Sequence, residues 1–193
     1  MEDFIIKRHS RKRQQCHLIV GLQQFKNHLY LNFLWLIFVA GVAFLIVSVK
    51  DLDIDVNPIL NAAVYICIKI LIIVIPIMCA IWIIQFVGSC FALKDEADLE
   101  IVFSNKNNIK KQPPILIFKK KDRKTGIIKR EFYSTISLSV WQEKREAICD
   151  RMNIRIIGDI SYGGKHKDKG YRIYFEAVKG RKPKERGILY DEI

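Results

Sequence analysis

From Leu29 to Val49 the chain reads LYLNFLWLIFVAGVAFLIVSV, a run without a single charge. At about 1.5 Å per helical residue it covers the ~30 Å of a bilayer's hydrocarbon core. Lipid offers no partner for a backbone N–H or C=O, so a run of this kind satisfies its own hydrogen bonds by becoming a helix. The run predicts a transmembrane helix. A cleaved signal peptide fits poorly, because 28 largely polar residues precede the stretch, its apolar core is long and no A-x-A-like site follows it.

A second apolar run, Ile59 to Leu93, holds one charge, Lys69. A span from Ile70 to Phe91 puts Lys69 at the membrane interface, its stem along the helix and its ammonium among headgroups; the competing role is a functional intramembrane cation. Pro76 lies inside this span and is expected to kink it. Half of the chain is hydrophobic, yet its formal charge is +12, so the two properties must be segregated. Basic minus acidic residues come to +4 over residues 1–28 (six against two), −1 over 29–93 (two against three) and +9 over 94–193 (twenty-four against fifteen). The connection KDLDIDVNP is acidic, while KRHSRKRQQ, with Arg11, Lys12 and Arg13, lies ahead of the first span at the membrane interface. The positive-inside rule then predicts a multi-pass protein of the cell membrane with both termini in the cytoplasm. In HLIVGLQQFKNHLY, Leu18, Leu22 and Phe25 share one helical face, which fits either an amphipathic helix on the inner leaflet or a downward extension of the first span.

Beyond Leu93 the periodicity changes. Residues 94–114 are expected to form a linker, with EIVF as a short strand, and 115–193 a small basic domain. PILIFKK and IIKREFY read as two strands of a hairpin joined through DRKTG, where Gly126 can take positive φ. SLSVWQEKREAICDRMN reads as a helix with Ser139 and Gln142 as a capping box and Trp141, Ile148 and Met152 near one face. NIRIIGDI is a strand, SYGGKHKDKG a turn, and YRIYFEAV a strand whose Tyr171, Ile173, Phe175 and Ala177 alternate with Arg172, Tyr174 and Glu176. The expected fold class is α+β: two N-terminal membrane helices, then antiparallel strands with one helix in the order β-β-α-β-β.

Catalytic signals are lacking. YGGKHKDKG has glycines and lysines without the G-x-x-x-x-G-K-[ST] spacing that cradles phosphates, so it reads as hairpin-loop chemistry. His9, His17, His28 and His166 form no zinc-binding grouping, and no G-x-S-x-G elbow occurs. The five cysteines make no C-x-x-C pair and suggest thiols packed as small hydrophobes. No enzyme activity, metal or cofactor is expected. Basic clusters remain: Lys119, Lys120, Lys121, Arg123 and Lys124 in one, and Lys165, Lys167, Lys169 and Arg172 in the next. Such charges suit phosphodiester backbones or anionic lipid, and equally an ordinary solvated surface.

The elements FYSTISLSVWQEKREAI, MNIRIIGDISYGG and GRKPKERGILYDEI resemble the segment between membrane anchor and motor in FtsK/SpoIIIE-type DNA translocases, specifically the TcpA-like coupling proteins of Gram-positive conjugative elements. The resemblance covers nearly the whole chain. It implies an anchoring and assembly part that holds a motor ATPase domain or subunit at the inner face of the membrane, forms a homo-oligomer, and contacts membrane lipids and DNA. Neither Walker motif is present in these residues, so no ATPase role is carried over. A different class stays open beside it: a two-helix membrane effector whose cytoplasmic domain binds an anionic ligand such as a cyclic nucleotide.

Overall fold

The computed structural model describes residues 2–50, 58–104, 112–164 and 169–180. The chain divides into two compact units, Met1–Phe91 and Ala92–Ile193.

In the first unit, helix α1 spans Glu2–Asn27 and is followed by a 3-10 turn at Leu29–Leu31, helix α2 at Asn32–Lys50 and the start of helix α3, Pro58–Phe103. α1 does not run straight into α2, because His28 takes an extended conformation (φ −126°, ψ 95°) between them. Helix α1 instead packs on α3. Gly21 meets the Ile84 backbone and Gly88 meets that of His17 with no room for a Cβ at either position, so the two helices touch backbone to backbone. His17 Nδ1 and Ser89 Oγ are hydrogen-bonded at 2.9 Å beside this contact. The buried face of α1 is therefore Cys16, His17, Val20, Gly21, Gln24 and Phe25; of Leu18, Leu22 and Phe25, Phe25 is buried there, Leu18 is half-buried and Leu22 is exposed. Close approach selects small residues, and glycine rather than leucine marks this interface.

Leu29–Val49 and Val64–Phe103 are long and apolar enough to cross a membrane. The helical assignment passes through Pro76 without interruption. The acidic connection, residues 51–57, lies outside the described residues.

The second unit is α+β, as expected. Strands β1 (Ile115–Lys121), β2 (Ile128–Tyr133), β3 (Ile154–Gly163) and β4 (Lys169–Lys179) form one antiparallel sheet in the order β1-β2-β4-β3. Between β2 and β3 stand two short helices, α4 (Leu138–Glu143) and α5 (Arg145–Met152), where the sequence suggested one. The break is at Lys144, whose ψ of 11° leaves the helical region and whose ammonium donates to Val102 O at 2.6 Å while lying over the Phe103 ring. A cation there satisfies a carbonyl at the negative end of α3. The expected Ser139 capping box is corrected as well: the N-cap is Ser137, which makes no side-chain capping bond, and Ser139 sits inside α4.

One face of the sheet carries the core. Phe132, Ile173, Phe175 and Ala177 are fully buried, with Ile156 and Ile160 nearly so. Trp141 lies among them, its ring centroid 4.7 Å from that of Phe103 and 5.8 Å from that of Phe132, and its Nε1 donates to Ser134 Oγ at 3.1 Å. Buried indole needs such a partner.

The larger departure lies in residues 94–103. Expected as linker and short strand, they are the last turns of α3 and part of the domain core. Leu99 is fully buried, Phe103 nearly so, and Glu96 Oε1 accepts from the Leu116 amide of edge strand β1 at 3.1 Å. Asp95 accepts from Arg130 Nε at 3.0 Å and pairs with Lys119 Nζ at 2.8 Å. Residues 105–111 of the expected linker lie outside the described residues.

Candidate nucleic-acid interface

The β1–β2 hairpin places the first basic cluster. Asp122 builds its turn: the carboxylate accepts from the Lys124 amide at 3.0 Å and from Thr125 Oγ1 at 2.8 Å, while the Gly126 amide donates to Asp122 O with Gly126 at φ 70°. Those two hydrogen bonds hold the Asp122 carboxyl below its ordinary pKa, the backbone one foremost. The turn leaves Lys120, Lys121, Arg123 and Lys124 exposed around one hairpin tip.

Lys119 is not in this set. Its side chain points to the core face and serves Asp95, beside Arg130. The strand period separates it from Lys120, since neighbouring residues face opposite sides of a sheet. Arg172, on β4, is engaged by Glu131 Oε1 at 3.2 Å. Lys169 is half-buried at the start of β4, and Lys165 and Lys167 lie outside the described residues. In the first unit, Lys69 is exposed on α3, and Arg11, Lys12 and Arg13 are exposed on α1.

The sheet face away from the core holds a shallow pocket of about 340 Å³. Phe118, Glu131, Tyr162, Gly163, Gly164, Tyr174 and Glu176 line it. Glu131 accepts from the Gly164 amide at 3.1 Å, and Glu176 accepts from the Tyr174 hydroxyl. Burial, then the bonded Glu176 carboxylate, pushes the Tyr174 phenol well above the ordinary tyrosine range. Both carboxylates that line this pocket pair with a cation beside it, Glu131 with Arg172 Nη1 at 3.2 Å and Glu176 with Lys129 Nζ at 3.4 Å. Sequence reasoning missed it, although the alternation of Tyr174 and Glu176 against Ile173 and Phe175 marked this face as the polar one.

Among the described residues no group of three or more His, Cys, Asp or Glu is placed to hold a metal ion. The arrangement offers charge for a polyanion.

No family model and no curated protein matches the chain. A solved structure similar to part of it is that of the pCW3 conjugation coupling protein TcpA, monomer form with ATPγS: TM-score 0.37, 24% sequence identity, 45% of this chain and 24% of that one. The chain thus matches about a quarter of that protein's length.

Proposed function

We propose that this chain is the membrane-anchoring, non-enzymatic region of a DNA-translocating coupling protein, holding a motor at the inner face of the membrane and meeting nucleic acid through the β1–β2 hairpin. The observation that carries the anchor is the bareness of the two apolar helices: none of the 18-residue apolar window within Leu29–Val49 and 6% of that within Val64–Phe103 is buried inside the protein. Surfaces that apolar are stable against lipid and not against water. The coupling role is supported by the resemblance of FYSTISLSVWQEKREAI and its neighbours to the pre-motor segment of such proteins. DNA binding is supported by the four exposed cations at the hairpin tip, which fit a phosphate backbone. The motor ATPase belongs to the partner side of this reading, as neither Walker motif is present.

The test uses the full chain in membrane vesicles. It should resist carbonate extraction and should retain duplex DNA at low salt. Retention should fall when Lys120, Lys121, Arg123 and Lys124 are neutralised. Carbonate release would overturn the anchor. Tight, salt-insensitive binding of a small cyclic nucleotide, with no DNA retained, would overturn the coupling role.

A further inference from the structure

The pocket on the outer face of the sheet is built across neighbouring strands. Phe118 of β1, Glu131 of β2 and Tyr174 of β4 stand in register, Phe118 opposite Glu131 and Glu131 opposite Tyr174. Two strand spacings, about 10 Å, therefore separate the residues that carry the two rings, with the carboxylate-bearing residue between them. Tyr162 supplies a third ring and Glu176 a second carboxylate. Gly163 is what lets the first carboxylate lie there, since a Cβ on it would stand 2.6 Å from Glu131 Oε1. Both hydrogen bonds of Glu131 fall on that oxygen, from the Gly164 amide and from Arg172 Nη1, and Oε2 has no partner among the described residues.

Three properties define what such a site takes. Aromatic rings accept a flat, polarisable group. A carboxylate oxygen without a partner accepts from an N–H. The third property is charge. Arg172 and Lys129 neutralise the two carboxylates, Lys120 stands opposite Lys129 in register, and residues 94–193 carry a net +9 (twenty-four basic against fifteen acidic). A free ammonium or guanidinium suits rings and a carboxylate, but this field repels it. A bare phosphate meets carboxylates in the lining. A ligand with a flat N–H edge at one end and an anion at the other satisfies all three.

We propose that this pocket binds a guanine mononucleotide, its base between Phe118 and Tyr174 and its phosphate at Lys129 and Arg172. Guanine offers N1–H and its 2-amino group side by side to a carboxylate. Uracil and thymine flank their N–H with two carbonyls, and adenine flanks its amino group with ring nitrogens that only accept. The cavity of about 340 Å³ lies at the small end of ligand pockets, roughly 300–1,000 Å³, which suits one nucleotide rather than a run of them. The site stands apart from the hairpin's phosphate contacts, because it reads a base and its rings are not among the four hairpin cations.

Equilibrium dialysis of radiolabelled GMP against the full chain in detergent micelles tests this. The competitors are AMP, UMP, IMP, guanosine and a single-stranded oligothymidylate carrying one guanine. GMP should bind at least about tenfold more tightly than AMP or UMP, and IMP, which lacks the 2-amino group, should fall with them. Phe118→Leu should weaken every nucleotide about fivefold or more, and Lys129→Gln should weaken GMP but not guanosine. Glu131→Gln should bring the GMP and UMP affinities together. Phe118 is half-buried on the face away from the core, so its substitution leaves the fold intact, and retention of duplex DNA should not change with it. Equal affinity for GMP, AMP and UMP, or no binding of GMP, overturns the proposal. An oligonucleotide that competes as well as GMP overturns it too, since the ligand is then a strand. Duplex DNA retained without GMP sinks the pocket alone, and GMP bound without DNA sinks the hairpin reading alone.

Discussion

Trp141 concentrates the domain's packing into one side chain. It is fully buried against Phe103, Phe132 and Phe175, and its one polar atom is bonded to Ser134. Trp141→Ala removes that packing area and leaves a cavity that three rigid rings cannot close, so it should cost about 3–5 kcal/mol in the denaturant or thermal unfolding of residues 92–193. An unchanged midpoint would mean that the rings collapse into the gap. Tyr174 is a second residue with a measurable signature. Its pKa is raised in the fold by burial and by the Glu176 carboxylate that its hydroxyl serves. A raised pKa stabilises the protonated form. That contribution is complete below the unfolded tyrosine value of about 10 and is lost as pH rises through the folded one. In an ultraviolet titration of the folded chain, Tyr174→Phe should therefore remove a component that ionises above the ordinary tyrosine range. A titration curve that Tyr174→Phe leaves unchanged above that range would show that the bond to Glu176 does not persist in solution.

At the scale of elements, the end of α3 is the part that changes how the domain is cut. Asp95 is buried with Arg130 and holds Lys119, and Glu96 takes the amide of Leu116. A soluble piece beginning at Ala97 lacks both carboxylates and leaves the Arg130 guanidinium buried without its counter-ion. Breaking such a pair by removing one partner costs about 3–5 kcal/mol. That piece should unfold correspondingly more easily than one beginning at Ala92, in denaturant titrations of the two side by side. Equal stability would show that Arg130 finds water or another acceptor. The strands were legible in the sequence because alternation survives at Ile173, Phe175 and Ala177, and the two apolar helices because Lys69 alone interrupts the runs Leu29–Val49 and Ile59–Leu93. The end of α3 was not, for a physical reason. Its core-facing line of Ala92, Asp95 and Glu96, Leu99 and Phe103 has helical spacing, but two carboxylates occupy positions where a hydrophobic pattern calls for leucines. They are admitted because their partners come from β1 and β2, some twenty to thirty-five residues further along. The same distance effect took Lys119 out of the basic cluster: only the partner on α3 reveals which face it serves. The α1–α3 packing escaped for the opposite reason, since glycines carry no hydrophobic signal and act by letting backbones touch.

For the whole molecule, the charge asymmetry around α2 predicts an orientation with basic α1 on the cytoplasmic side. A reporter fused after Ile193 should be active as a cytoplasmic one, and activity on the far side would reverse the orientation. The second unit, which the proposed orientation places on that side, carries the charge that would meet nucleic acid. Its four hairpin cations are exposed together, whereas Lys119 and Arg172 are held by Asp95 and Glu131. Of these six, the exposed four are the ones positioned to displace counterions from a phosphate backbone. Every phosphate that is no longer neutralised should flatten the dependence of log K on log salt by roughly 0.9, so changing Lys120, Lys121, Arg123 and Lys124 to glutamine should reduce the slope for duplex DNA by up to about 3.6. Lys119→Gln alone should leave the slope unchanged and lower thermal stability instead, because its charge serves Asp95. Binding should weaken equally for unrelated DNA sequences, since phosphate interactions carry no base information. A slope unaffected by the four changes would remove the hairpin from the DNA path, and a slope lowered by Lys119→Gln would mean that the Asp95 pair opens when DNA arrives.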